Sequence, residues 1–322
     1  MASISAPAFP DFPAPAARCG PLRAPRQMLA EQTYGGHKSI HDDQTAGELG
    51  LKAGPIEGPT HFSQFDPLLH QVFGQAWFES GCISAHYQTM VIEGERVRAF
   101  VQPPSTGAKV ARIWAEKQDG TPVLEGSASV GPVADSEHEI PQRIARLRLA
   151  KGLVINRDLK VGQRGAQAET VAMDFDQNMG NYYPFTLAAK LAVITEPSPW
   201  YTRDGGVNSP WGQAIIPIEM ISVLLGSSMD RAALKGRGPA VGLFADQQIR
   251  LVRGPLFVGR SYDLQREIVA LSESRRTESI WTRTRVLEHG TQTLVAEMIL
   301  NHAVLKNSYA GYEKEARELG LI

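Results

Sequence analysis

The chain has 322 residues, of which 43% are apolar and 21% are charged, and this length and composition exclude a globally disordered protein. Its 33 Lys and Arg residues balance 34 Asp and Glu residues to a net charge of −1, which excludes the basic excess typical of nucleic-acid-binding proteins. The two cysteines, Cys19 and Cys82, are too few for a disulfide framework or a four-cysteine zinc site.

In chain order, the sequence opens with an Ala- and Pro-rich stretch, residues 1–26. This stretch lacks the basic start and continuous apolar core of a signal peptide, so we expect a flexible tail and a cytoplasmic protein. No apolar run in the chain approaches the roughly 18 residues of a transmembrane helix, so we expect no membrane association.

An internal repeat organises the rest of the chain. When Gly54 is aligned with Gly212, Pro59 stands opposite Pro217, and each proline opens an apolar stretch with helical spacing. Proline is favoured in the first turn of a helix, where its missing N–H costs no hydrogen bond. Pro67 lies inside the first stretch and predicts an interruption of that helix.

Four strand-like segments follow each predicted helix, with alternating polar and apolar residues and glycine turns between them. They cover residues 82–91, 95–102, 108–118 and 123–131 in the first half and 247–252, 261–271, 278–288 and 293–305 in the second. This shared order predicts an α+β fold in which an antiparallel sheet packs on a central helix, twice in one chain.

The repeat predicts the domain boundaries. We expect an N-terminal unit over residues 27–135 and a C-terminal unit over residues 166–308. The charged segment 136–165 has helical spacing in its middle and is interpreted as the linker between them. Residues 309–322 are typical of a short exposed helix.

Two segments of the sequence share a motif. They are GGHKSIHDDQTAGELGLKAGPIEG (35–58) and LAVITEPSPWY (191–201). Both resemble the pattern F-A-x-x-T-G-D-x-N-P-I-H of MaoC-like, or R-specific enoyl-CoA hydratase, proteins. In the first segment the matching residues are Ile40, His41, Asp43, Ala46, Gly50, Pro55 and Ile56, and in the second they are Leu191, Ala192, Thr195, Ser198 and Pro199. The resemblance covers roughly residues 27–305. It implies a double hotdog fold, in which two antiparallel sheets each wrap a long central helix.

Neither segment keeps the complete catalytic pair that the resemblance implies. His41 takes the family's histidine position, but Gly36 stands where the family has Asp. In the second half, Glu196 takes the Asp position and Tyr201 takes the His position.

The start of each central helix also departs from the family. Family members donate a backbone N–H there to the thioester carbonyl, and Pro59 and Pro217 have no N–H to donate. The next amides along each helix belong to Thr60 and His61, and to Ile218 and Glu219.

The resemblance and the residue chemistry together give eight candidate site residues. As catalytic residues we predict His41, His61, Glu196 and Tyr201, and as substrate-binding residues Glu57, Thr60, Trp200 and Glu219. We expect no metal ligands, because the remaining histidines and acidic residues form no metal-binding pattern.

Each candidate has a structural alternative. His41, with Asp42 and Asp43 beside it to raise its pKa, is either a general acid or base or a residue that hydrogen-bonds its loop. His61 and Glu219 either line a tunnel as polar residues on buried helices or are satisfied by nearby backbone.

The other candidates are equally open. Glu196 and Tyr201 either form an acid–base pair or, with Trp200 and the neighbouring prolines, fill a degenerate second site. Glu57 either faces the site or is a solvated turn residue.

The resemblance implies a lyase that uses general acid–base catalysis and no cofactor. It would hydrate or dehydrate a 2-enoyl thioester or a similar acid, or carry out a related elimination or isomerisation. The substrate is then a small molecule, with a CoA thioester as the expected form. Two alternatives are a hotdog enzyme recruited to a non-CoA small molecule and a non-catalytic binding protein for acyl groups or other small molecules. By analogy with other hotdog proteins, we expect a homodimer.

Overall fold

The structure, a computed structural model, describes residues 16–322 except 36, 149 and 151. Twelve strands occur in the described residues, and ten of them form one antiparallel sheet. In chain order they are β1 (Arg18–Cys19), β2 (Thr33–Tyr34), β3 (His37–Lys38), β4 (Gly81–Tyr87), β5 (Val97–Gln102), β6 (Val110–Lys117), β7 (Pro122–Val130), β8 (Glu169–Ala172), β9 (Gly242–Leu251), β10 (Ser261–Glu273), β11 (Thr277–Glu288) and β12 (Leu294–Leu305).

The helices are shorter than the strands that surround them. The α-helices of the described residues are α1 (Asp43–Glu48), α2 (Asp66–Phe73), α3 (Ala76–Ser80), α4 (Glu139–Ala145), α5 (Leu187–Leu191), α6 (Arg203–Gly206), α7 (Ile218–Gly226), α8 (Met229–Ala232) and α9 (Tyr312–Glu318). Four 3₁₀ segments cover Gly58–Phe65, Asp135–Glu137, Pro199–Tyr201 and Lys306–Ser308.

The large sheet runs in the order β1-β5-β6-β7-β4-β9-β12-β11-β10-β8, so the two halves of the chain meet at β4 and β9. Cys82 pairs with Arg250 and His86 with Asp246 across this junction. The two sheets expected from the repeat are thus joined edge to edge within one chain. The strands left at the outer edges, β1 and β8, are only two and four residues long, which limits the unpaired backbone available to other chains.

The two central helices contact each other. As Pro67 predicted, the first is interrupted: it begins as the 3₁₀ segment Gly58–Phe65 and continues as α2, with Pro67 in its first turn. The second, α7, is buried along its whole length, which agrees with its continuous apolar sequence.

The structure corrects the register of the repeat. The amide of Ile56 donates to the carbonyl of Val91, and the equivalent bond in the second half runs from Ile216 to Leu256. This places the residues before the two helices, Glu57 and Pro217, opposite each other. The alignment of Pro59 with Pro217 was therefore wrong by two residues, and Glu219 is not the counterpart of His61.

Part of the predicted flexible tail is ordered. Arg18 and Cys19 pair with β5, and the side chain of Arg23 forms a two-bond ion pair with Glu196 at 2.6 and 2.9 Å. The prediction of a flexible tail from the Ala and Pro composition was wrong for residues 18–23, because a single arginine and an open strand edge are enough to hold them. Residues 1–15 lie outside the described residues.

The predicted linker contributes α4, whose Ile140 is fully buried against Trp281 and Ile299 on the outer side of the sheet. The chain ends with α9, as the composition of residues 309–322 predicted. Among the described residues, no helix has the length and apolar character needed to cross a membrane.

Candidate active site

Three of the predicted site residues line one cavity of about 130 Å³ at the start of the first central helix. We call it the histidine cavity, because His41 and His61 both face it, together with Glu57. Its walls come from the loop before the helix, the end of β4 and the start of β9. The other lining residues are Ile40, Pro55, Ile56, Gly58, Tyr87, Gln88, Thr89, Met90, Val91, Val123, Leu243, Phe244 and Ala245.

The loop that carries His41 is fixed by the two carboxylates that follow it. Asp42 caps α1 by accepting a bond from the amide of Thr45 at 2.9 Å. Asp43 accepts one from the amide of Gly54 at 2.8 Å. Gly54 packs directly on the His41 backbone, where an added Cβ would lie 2.1 Å from the carbonyl oxygen. The loop therefore closes on itself and brings Pro55 next to the imidazole.

His41 is neutral in this site and has a defined tautomer. Burial of the ring lowers the pKa of His41 to about 4, although Asp42 and Asp43 were expected to raise it. Nδ1 lies 2.6 Å from the carbonyl oxygen of Pro55 and must carry the proton, because a carbonyl only accepts. Nε2 then has a free lone pair, as a general base requires.

Glu57 supplies a buried acid to the same cavity. It occupies the cap position before the central helix and is only 8% exposed, so it is not a solvated turn residue. Burial raises the pKa of Glu57 to about 7. Its Oε1 accepts a hydrogen bond from the hydroxyl of Tyr183 at 3.1 Å, so the proton of the neutral acid resides on Oε2.

His61 lies one turn further along the helix and is 2% exposed. Burial lowers the pKa of His61 to about 4, and the positive charge of Lys190 lowers it further. Its Nδ1 lies 3.4 Å from the amide nitrogen of Gln64, so a neutral ring is held in place by its own helix.

Thr60 and Glu219 belong to a buried cluster between the two halves rather than to the lining of the histidine cavity. Lys190 on α5 connects them: its Nζ lies 3.5 Å from Oε1 of Glu219 and donates to Oγ1 of Thr60 at 3.3 Å. Burial raises the pKa of Glu219 to about 7, and Lys190 opposes that rise. Sequence analysis missed Lys190, and the only signal was one charged residue in the apolar stretch LAAKLAVI.

The candidates of the second-half motif have protein partners elsewhere. Glu196 is paired with Arg23, and the hydroxyl of Tyr201 donates to Oδ2 of Asp66 at 2.9 Å. The ring of Trp200 packs edge-on against Phe78 at 5.3 Å, within an aromatic cluster. This arrangement favours the alternative in which these side chains fill a degenerate site.

Tyr201→Phe should lower stability and leave the histidine cavity intact. Asp66 is buried, accepts only from Trp77 and Tyr201 among the described residues, and burial raises its pKa to about 7. Loss of the hydroxyl should cost about 1–3 kcal/mol of unfolding free energy. The loss should be larger at about pH 8, where Asp66 is ionised, than at about pH 6. Urea unfolding at both pH values measures it, and an equal loss at both would contradict this account of Asp66.

Comparison with known proteins identifies the fold. No known protein-family profile matches the sequence, and no curated protein matches it. A solved structure from Chloroflexus aurantiacus, described as a MaoC domain protein dehydratase, has a TM-score of 0.55 over 92% of this chain and 95% of its own, at 14% identity. A conserved hypothetical protein from Mycobacterium tuberculosis, described as a double hotdog fold, has a TM-score of 0.54 over 92% and 97%, at 8% identity. This chain has a double hotdog fold.

The predicted α+β class and the resemblance to MaoC-like proteins are thus confirmed at the level of structure. The chemistry of a double hotdog protein has to be argued from its site, because one fold carries many functions. In the described parts of the chain, no three His, Cys, Asp or Glu side chains are grouped to hold a metal ion.

Proposed function

We propose that this chain is a MaoC-like hydro-lyase that adds water to a 2-enoyl thioester, or removes it from the hydrated product, in the histidine cavity. The observation that carries the proposal is a neutral histidine and a protonatable carboxyl group in one desolvated cavity. Such a pair of groups with separated pKa values is what acid–base chemistry near neutral pH requires.

In the hydration direction, His41 is the base. Nε2 takes a proton from water as the water oxygen forms a bond to C3 of the substrate. The electron pair of the C2–C3 double bond moves toward the thioester carbonyl, and Oε2 of Glu57 then gives its proton to C2. The imidazolium of His41 and the carboxylate of Glu57 are left, and proton exchange with solvent restores both. Dehydration follows the same steps in reverse.

Gly58 is the proposed donor to the thioester oxygen. Pro59 has no N–H, and the amide of Thr60 already donates to the carbonyl of Glu57 at 3.1 Å. Gly58 lines the cavity, and no acceptor for its amide is found among the described residues. A Cβ at this position would lie 2.7 Å from the ring of Tyr87, so glycine is needed for the wall to close.

Glu57 stands in for the acid that the first-half motif lacks. Gly36, at the family's Asp position, lies outside the described residues, and the proposal does not depend on it. Glu57 enters the cavity from the start of the first central helix, whereas the family's Asp would enter it from the loop that carries His41.

The proposal is tested by mixing the purified chain with short and aromatic 2-enoyl-CoA thioesters and following the absorbance of the conjugated thioester. We expect turnover by the wild type and a loss of about 10²–10⁴-fold in His41→Ala. His289→Ala is the matched control, because His289 is exposed and pairs with Asp263 at the surface, outside the histidine cavity. Absence of turnover on every thioester would overturn the proposal in favour of a binding protein or a non-CoA substrate.

The other expectations stay predictions. A cytoplasmic location and a homodimer follow from the sequence and from analogy, and sedimentation velocity would measure the oligomeric state.

A further inference from the structure

A second, larger cavity of about 470 Å³ lies beside the histidine cavity. Strands β2 and β3 of the first half and α8, β9 and β12 of the second contribute to its walls. Its volume falls in the range of small-molecule binding sites. The histidine cavity alone has room for the reacting atoms but not for a bulky acyl group.

Aromatic and apolar side chains dominate the lining of this cavity. The rings of Tyr34 and Tyr182 stack with an interplanar angle of 9° and a centroid distance of 6.3 Å. Phe244 and Met229 face the same space. Flat aromatic walls favour a ligand that also contains a ring, because stacking adds to the burial of apolar area.

The neutral polar groups of the cavity could hydrogen-bond to an uncharged ligand with an oxygen substituent. Burial lowers the pKa of His302 to about 4, so its ring is neutral, and no hydrogen-bond partner for it is found in the described part of the chain. The hydroxyl of Tyr34 accepts from the amide of Gly242 at 3.2 Å, which leaves its own proton free to donate. The ring nitrogens of His302 therefore have hydrogen-bonding capacity left for a ligand in the cavity.

The charged groups at the rim do not call for a charged ligand. Lys235 lies 3.9 Å from Asp230, and Arg237 shares the carboxylate of Glu315 with Arg157. Each of these two cations therefore already has an acidic neighbour within the chain.

The two cavities are neighbours. Leu243 and Phe244 line both of them. Tyr183 lines the larger cavity and donates its hydroxyl proton to Glu57, which lines the smaller one. A molecule reacting between His41 and Glu57 would therefore have its remaining part beside the larger cavity.

We propose that the larger cavity, which we call the ring cavity, holds an uncharged, ring-bearing, oxygen-substituted acyl group as the non-reacting part of the substrate. That this group belongs to the substrate rests on the proposed function. That the cavity binds a ring compound is independent of the proposed function.

The test uses 2-naphthol, a neutral ring compound with one hydroxyl, and its fluorescence on binding. We expect the wild type to bind it and Ala240→Trp, which fills the ring cavity from its half-buried rim, to bind at least about tenfold more weakly. Val207→Trp is the control, because Val207 is 65% exposed and lies outside both cavities. Absence of binding by the wild type, or equal binding by Ala240→Trp, would overturn the proposal.

His302→Phe is a second variant that keeps a ring in the wall and removes its nitrogens. The wild type should prefer 2-naphthol to naphthalene, and His302→Phe should lose that preference. Retention of the full preference would remove His302 from the site and overturn the polar part of the proposal.

Kinetics connect the cavity to the reaction. In Ala240→Trp, the ratio of kcat/KM for cinnamoyl-CoA to that for crotonyl-CoA should fall about tenfold. An unchanged ratio would overturn the assignment of the ring cavity to the substrate. If no thioester reacts but Ala240→Trp still loses 2-naphthol, the proposed function fails and the ring cavity stands as a binding site.

Discussion

Hydration of a 2-enoyl thioester by this chain should be fastest between about pH 4 and about pH 7 and should fall about tenfold per pH unit above that range. His41 works as a base only when it is neutral, above its pKa of about 4. Glu57 works as an acid only when it is protonated, below its pKa of about 7. The pH dependence of kcat/KM measures both limbs in the free enzyme.

Glu57→Gln should show whether Glu57 causes the fall in kcat/KM above about pH 7, which is the alkaline limb of the pH profile. Glutamine keeps the shape of the side chain but cannot give a proton to carbon, so we expect kcat/KM to fall by about 10²–10⁴-fold. The residual rate should no longer decrease above about pH 7. Glu313→Gln is the matched control, because Glu313 is an exposed carboxylate paired with Arg317 on the last helix, outside both cavities. A Glu57→Gln variant with the wild-type rate and the wild-type alkaline limb would contradict the assignment of Glu57 as the acid.

Lys190→Met should give the largest loss of stability among these variants. Lys190 and Glu219 have side chains that are 6% and 2% exposed, and removal of one partner of a buried pair costs about 3–5 kcal/mol. The sign of the pH dependence follows from Glu219, whose pKa is raised to about 7 by burial and would rise further without Lys190. At about pH 8 the variant must either bury an unpaired carboxylate or take up a proton, so the loss should be larger there than at about pH 5.

The double variant Lys190→Met/Glu219→Gln is the control, because it removes the buried charges together. Its unfolding free energy at about pH 8 should recover most of the loss of the single variant. Lys190 also lowers the pKa of Glu57, so Lys190→Met should move the alkaline limb of the rate profile upward, by about one pH unit. An unmoved limb would show that Lys190 has no electrostatic effect on the histidine cavity.

The strands and the central helices could be predicted from the sequence because their signals are local. The alternation over residues 261–271 and 278–288 became β10 and β11 within two residues at either end. Pro59, Pro67 and Pro217 marked the helix starts and the interruption. The order of these elements, with the motif around His41, was enough for the fold.

The junction of the two halves could not be predicted, and Glu57 was predicted only as a substrate-binding residue and not in the acid role proposed above, because both depend on distant parts of the chain. The strand pair β4–β9 brings together residues such as Cys82 and Arg250. The burial of Glu57 depends on Tyr183, which lies 126 residues away in sequence. The same limitation affected Glu196 and Tyr201, whose motif positions gave no sign that Arg23 and Asp66 would be their partners.

The measurement that tests the account most directly compares the two halves with one substrate. The values of kcat/KM for crotonyl-CoA at about pH 6 would be determined for His41→Ala and Tyr201→Phe, each checked for folding by circular dichroism. We expect a loss of about 10²-fold or more for His41→Ala and a rate within about threefold of the wild type for Tyr201→Phe. A large loss for Tyr201→Phe with an unchanged rate for His41→Ala would place the chemistry in the second half and contradict the account.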